Sequence, residues 1–246
     1  MPYELIVTEK PSAAKKIAEA LDNGKPVKEN NKGVPYYKVT HGNKDIIVTC
    51  AVGHLYSVAE KNKGKWTYPV FEIEWKAAGE ARKDAAYSKK YLATIKKLSK
   101  EADEFTIATD YDIEGEVIGW NIIRFACKQK DANRMKFSTL TKPDIIKAYD
   151  SKSKHLDWGQ AHAGETRHFL DWMYGINLSR ALSLAIKKAA NRHHILSAGR
   201  VQGPALKTIV EREKDINAFI PEPYWQIEIA GVIKAGEITA LHEKDK

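Results

Sequence analysis

The stretch that most constrains the fold is Phe105-Thr106-Ile107-Ala108-Thr109-Asp110-Tyr111-Asp112-Ile113-Glu114-Gly115-Glu116, where an apolar run breaks into four carboxylates within seven residues. Phe105 to Thr109 is short and rich in β-branched residues, whereas Val117, Ile118, Ile122, Ile123 and Phe125 recur at helical spacing, so the acids occupy a strand-to-helix turn. Leu5 to Thr8 repeats the arrangement: a buried strand, the turn Glu9-Lys10-Pro11-Ser12, then a helix with Ala14, Ile17, Ala18 and Leu21 on one face and Pro11 in its first turn. A parallel sheet sets both turns at one edge, where α/β proteins place their sites, and there Glu9 faces the acidic cluster.

Asp110 and Asp112 project from the same side of a strand end, and the following turn brings Glu114 and Glu116 near. Crowded carboxylates raise one another's pKa unless a cation is present, and an oxygen-only donor set suits Mg²⁺, which takes carboxylates, waters and substrate phosphate. A magnesium-dependent phosphoryl-transfer site is one reading; a solvated acidic turn whose glutamates favour a helix N-terminus is the other. Lys10 supplies a point charge for a phosphate oxygen, or is simply an exposed turn residue.

Elsewhere the sequence reads as a loop from Asn23 to Gly33, a hairpin of Val34 to Thr40 with Asp45 to Thr49, and an irregular segment from Lys61 to Lys83. His54, after a tight turn at Gly53, is a candidate phosphate contact or a satisfied structural histidine. Tyr87, Tyr91, Ile95 and Leu98 mark an amphipathic helix, Met135 to Thr139 a strand and Pro143 to Tyr149 a helix, completing an alternating α/β pattern that ends near Asp150. A polar linker, Ser151 to Lys154, leads to helices at about 159–174, 178–190 and 203–218, then to alternating residues of strand type from Tyr224.

The formal net charge is +8 although the proposed site is acidic, so basic residues must gather elsewhere. Between Arg180 and Lys214 stand eight Lys or Arg against two acids, with His193 and His194 in addition, a pattern that suits a polyanion or solvated helix faces. No apolar run is long enough to span a bilayer and no signal peptide leads the chain, so an intracellular, cytoplasmic protein without membrane partners is expected. Cys50 and Cys127 are too few for a disulfide framework and lack paired metal spacing, so buried thiols are expected and zinc is not.

Asp110-Tyr111-Asp112-Ile113-Glu114-Gly115-Glu116 resembles the acidic motif of the Toprim domain, and Glu9-Lys10-Pro11-Ser12 resembles the amino-terminal motif of type IA DNA topoisomerases of the topoisomerase III branch. Leu196-Ser197-Ala198-Gly199-Arg200-Val201-Gln202-Gly203-Pro204-Ala205-Leu206 is similar to a signature of the same enzymes that follows Toprim, as are Arg167-His168-Phe169-Leu170-Asp171 and Gly175-Ile176-Asn177-Leu178-Ser179-Arg180. The resemblance implies a Rossmann-like Toprim domain with a mostly parallel sheet at 1–150, part of a mainly helical DNA-binding domain at 151–222, and the first gate-domain strands at 223–246. It implies Mg²⁺ held by Asp110, Asp112 and Glu114, acid-base chemistry by Glu9, and charge stabilisation by Lys10. Arg167, Asp171, Arg180, Arg200 and Gln202 would contact single-stranded DNA; Arg167 and Asp171, four apart, also suit an ion pair along one helix face.

By the same resemblance, the complete enzyme relaxes negatively supercoiled DNA without ATP through a 5′-phosphotyrosine. Tyr111 and Ile113 stand where many relatives have Pro and Arg, and His168 where some have a second Arg. None of the eleven tyrosines is followed two residues later by arginine, as the family's nucleophile motif requires. The chain is therefore expected to be the front part of a longer enzyme, inactive alone and dependent on the downstream part for its nucleophile. A self-contained Toprim nuclease and a non-catalytic DNA-binding module are the rival expectations.

Overall fold

The computed structural model describes residues 2–62, 66–192 and 194–241; His193 of the basic run and the charged tail from residue 242 lie outside the described residues. The chain divides into two compact units, Met1–Arg200 and Val201–Lys246.

In the first unit β1 (Tyr3–Thr8) leads into α1 (Pro11–Leu21), followed by β2 (Val27–Asn31), β3 (Val34–His41), β4 (Lys44–Cys50) and β5 (Tyr56–Glu60). Next come β6 (Ile73–Ala77), the single turn α2 (Ala78–Ala81), α3 (Ser88–Leu98), β7 (Ala102–Ala108) and α4 (Ile113–Asn121), which continues as a π-helical turn over Ile122–Ala126. β8 (Asn133–Arg134), α5 (Lys142–Asp150) and the long α6 (Trp158–Ala190) complete it. Six strands form one sheet in the order β2-β3-β4-β1-β7-β8, in which β4, β1, β7 and β8 run parallel and β2 and β3 add an antiparallel edge.

β1 is the central strand, and its apolar run follows from burial on both faces. Leu5 and Val7 join Phe105 and Ile107 in a cluster with Ile95 and Leu98 of α3 and Ile118 of α4. Ile6, on the opposite face, packs with Ala14, Ile17 and Leu21 of α1, Val48 of β4, and Ile145 and Tyr149 of α5. Helices thus cover both faces, and the mixed α/β fold with a mostly parallel sheet agrees with the reading of the sequence. Cys50 and Cys127 are buried free thiols, raised by desolvation to about 11 and about 12 respectively.

Four local expectations need correction. β2 lies within the expected loop, its polar side chains largely exposed along a sheet edge, so no apolar alternation marks it. β6 lies within the segment expected to be irregular and pairs antiparallel with β5. The strand expected at Met135–Thr139 is only Asn133–Arg134, extended by a hydrogen bond from the Met135 N–H to the Ile107 carbonyl at 2.9 Å. The two helices expected across 159–190 are one. Gly175 and Asn177 suggest a break, but the Asn177 side chain turns outward, accepting from the Val70 N–H at 2.6 Å and donating to the Val70 carbonyl at 2.9 Å, while α6 runs on.

The second unit comprises α7 (Gln202–Ala218) and the antiparallel hairpin β9 (Glu228–Ile233) with β10 (Gly236–Leu241), all with exposed side chains. No helix of the described residues is long and apolar enough to cross a membrane.

Candidate active site

Thr8 and Ala108 are partners at the ends of the parallel strands β1 and β7, so Glu9 and Asp110 emerge side by side from neighbouring strand ends. Lys10 Nζ lies 2.7 Å from Asp110 Oδ2 and 3.6 Å from Glu9 Oε1. Burial raises the Glu9 carboxyl above the usual glutamate range, Asp110 and Asp112 add to the rise, and Lys10 offsets part of it. The cluster is thus electron-rich oxygen crowded around one ammonium, the field expected where a cation is wanted.

The loop after β7 is held by groups that do not face this cluster. Asp112 caps α4, accepting from the Gly115 N–H at 2.7 Å, and Thr109 Oγ1 donates to the Gly115 carbonyl at 2.7 Å. A Cβ at Gly115 would stand 2.1 Å from the Asp110 carbonyl oxygen, so only glycine permits this closeness. Arg134, fully buried, donates to the Thr109 and Asp110 carbonyls at 2.9 Å each, to the Met135 carbonyl at 3.0 Å, and to Glu116 Oε2 at 2.7 Å. The other Glu116 oxygen accepts from the Asp157 N–H at 2.8 Å, at the start of α6. The fourth acid of the run is therefore a structural counter-ion and not part of the open cluster.

Glu114 faces a different set of groups. Its Oε2 lies 3.1 Å from His54 Nε2 and 2.9 Å from His168 Nε2, and its Oε1 lies 3.3 Å from Arg167 Nη1. Burial alone would raise this carboxyl, but the His168 hydrogen bond and the charges of His168, His54 and Arg167 hold it below the usual range. Burial, reinforced by His168, holds the His54 imidazole below the ordinary histidine range despite Glu114. His54 reaches this position from a strained turn: Val52 and Gly53 take φ of +58° and +79°, the Gly53 N–H donates to the Glu9 carbonyl at 3.3 Å, and the Ala51 N–H donates to the Thr8 carbonyl at 2.8 Å.

Arg167 also approaches Asp171 at 3.7 Å, and Asp171 in turn holds Arg200 at 2.6 Å, which makes an exposed chain of charges beside Glu114. Arg180 is not on that open face. It is buried, donates to the Thr67 carbonyl at 2.7 Å, and pairs with Glu60 at 2.8 Å, so its geometry is that of a strut between α6 and the β5 region. Gln202 opens α7 in the other unit.

The structure thus joins Glu9, Lys10 and Asp110 in one group and His54, Glu114, Arg167 and Asp171 in another, with Asp112 between them as a helix cap. His168 and Arg134 are the two residues whose place sequence reasoning missed. His168 was visible only as a departure from arginine, and Arg134 stood unmarked before the expected strand at Met135–Thr139. The oxygen donors at the two strand ends suit a hard divalent ion, and the Lys10 ammonium stands in for positive charge between Glu9 and Asp110. Among the described residues, His54, Glu114 and His168 also form a group whose donor atoms lie within 4.8 Å of one another.

Residues 4–140 match the family model for the Toprim domain, and residues 155–246 match that for DNA topoisomerase. DNA topoisomerase 1 of Methanocaldococcus jannaschii is 51% identical over 98% of this chain and 31% of its own length. That of Pyrococcus horikoshii is 47% identical over 98% of the chain and 35% of its own length. Full-length topoisomerase I of Thermotoga maritima superposes with a TM-score of 0.64 at 26% identity, covering 98% of this chain and 35% of that structure. The chain spans about a third of the length of the curated relatives described here.

Proposed function

The chain belongs to the Toprim-containing DNA topoisomerases of type IA, and on that premise we propose that it supplies the phosphate-handling half of an enzyme that breaks, passes and rejoins single-stranded DNA. The carrying observation is the pairing of strand ends that sets Glu9 and Lys10 beside Asp110. In this reading the Toprim part extends to about residue 150 and a helical DNA-binding part follows, a division supported by the two family matches on either side of it.

Asp110, Asp112 and Glu114 would hold Mg²⁺, which when bound neutralises and orients a phosphate oxygen. Lys10 gives a compact charge to a non-bridging oxygen of the scissile phosphate. Glu9, with its raised pKa, holds a proton at a pH where an ordinary glutamate has lost it, and passes that proton to the 3′ oxygen as the bond to phosphorus breaks. The attacking hydroxyl belongs to a tyrosine outside these residues, its proton leaving to water as the tyrosine oxygen bonds to phosphorus; the 5′-phosphotyrosine keeps the bond energy, and attack by the 3′-hydroxyl reverses the step. Arg167 and Arg200, aligned by Asp171, take the DNA backbone, and negatively supercoiled duplex is the substrate because it opens into single strands.

The isolated chain, mixed with labelled single-stranded DNA and Mg²⁺, is expected to bind weakly, with affinity falling as salt rises, and to leave the strand intact. Metal-dependent cutting by the chain alone, abolished by Asp110→Ala, would instead make it a self-contained nuclease. Tight binding unaffected by metal or by Asp110→Ala, in an enzyme that stays fully active with that change, would make it a binding module.

A further inference from the structure

We infer that His54, Glu114 and His168 form a binding site for one borderline-soft divalent metal ion of the zinc class, separate in its donor chemistry from the oxygen cluster around Asp110. The two imidazole nitrogens stand 3.1 and 2.9 Å from the same carboxylate oxygen. Donors bound to Zn²⁺ at about 2.0–2.1 Å in a tetrahedron are about 3.3 Å from one another; the three donor atoms here all lie within 4.8 Å of one another, so side-chain adjustment without backbone rearrangement admits the ion. Two nitrogens and one oxygen make a catalytic-type zinc set with a fourth position left for water, whereas Mg²⁺ favours oxygen donors.

Each ligand comes from a different, separately anchored element. His54 is fixed by the turn whose Gly53 N–H is tied to Glu9, Glu114 sits in the first turn of α4, and His168 projects from α6. The His168 ring packs against Trp75, centroids 5.5 Å apart, and the Trp75 indole N–H donates to Glu165 at 3.0 Å, which fixes that wall. Arg167 contacts the other oxygen of Glu114 and leaves the one facing the imidazoles available. All three side chains are part-exposed, so an ion has a way in. The expectation against zinc rested on the spacing of cysteines, whereas these histidines lie 114 positions apart in sequence and meet only through the fold.

One consequence rests on the function proposed above: an ion held here takes Glu114 away from the magnesium group, so zinc at low concentration would inhibit. Binding itself is tested without DNA. Co²⁺ is titrated into the unaltered chain while visible absorption is followed, then displaced with Zn²⁺, and the Zn²⁺-loaded chain is measured by zinc-edge X-ray absorption. The expected result is one Co²⁺ per chain, bleached by Zn²⁺ but not by an equal concentration of Mg²⁺, with two imidazoles on the zinc. His54→Gln and His168→Gln should each weaken binding at least tenfold, and Glu9→Gln should leave it unchanged. Only oxygen ligands at the zinc edge, no saturable binding, or binding lost with Glu9→Gln but kept in both histidine variants would overturn the site, whatever the enzyme does to DNA.

Discussion

Arg134 holds the site together without facing it. Its guanidinium closes the carbonyls of Thr109 and Asp110 onto Glu116, and neither ion touches solvent. Breaking a buried pair by removing one partner leaves the other charge unpaired, so Arg134→Leu is expected to cost about 3–5 kcal/mol, read as a lowered denaturation midpoint. Glu9 shows the opposite relation between function and stability. Its folded-state pKa is raised, so the folded chain binds that proton more tightly than the unfolded one, and stability falls as pH rises through the folded value. Glu9→Gln should therefore stabilise the fold at pH 7 by less than about 1 kcal/mol for a partly exposed charge, read as a small rise in melting temperature, and the gain should vanish below the ordinary glutamate range. Glu9, Lys10 and Asp110 were legible because each ends or follows a short apolar strand. Arg134 and His168 were not, because their partners lie 18 and 54 positions away and nothing local marks them.

At the scale of elements, the strand-turn-helix units at Glu9 and Asp110 were legible because the ends of β1 and β7 that lead into them, Leu5 to Val7 and Phe105 to Ala108, are buried on both faces and read as short apolar or β-branched runs. β2 and β6 were not, since edge and part-exposed strands take their pairing from neighbours and not from their own pattern. The continuity of α6 was hidden because Gly175 and Asn177 look like a break, whereas the Asn177 side chain is taken up by the Val70 backbone and the helix runs through. Gly164, within the same helix, serves packing. A Cβ at Gly164 would stand 2.3 Å from Val117 Cγ2 and 2.9 Å from the Ile113 carbonyl oxygen, so α6 can lie against α4 only with glycine there. Gly164→Ala is expected to lower stability by about 1–3 kcal/mol in thermal melts, although alanine favours helix by propensity. The same shift would move Glu114 relative to His168, because those residues sit on the two crossing helices.

For the whole molecule, the net charge of +8 and the acidic site are reconciled by position: the acids gather at one sheet edge, and Arg167 and Arg200 flank them on an exposed face. Under the function proposed above, these arginines would draw a polyanion toward carboxylates that otherwise repel it. The measurement that bears most directly on this account is relaxation of negatively supercoiled plasmid with Mg²⁺. It compares the 246-residue chain, the chain joined to the downstream part that its relatives possess, and the joined enzyme carrying Asp110→Ala with Asp112→Ala. Relaxation is expected only from the joined enzyme, with a loss of at least about 100-fold in the double variant, the scale on which removing charge stabilisation slows a reaction. Full relaxation by the double variant, or nicking by the chain alone, would contradict the role given to these acids.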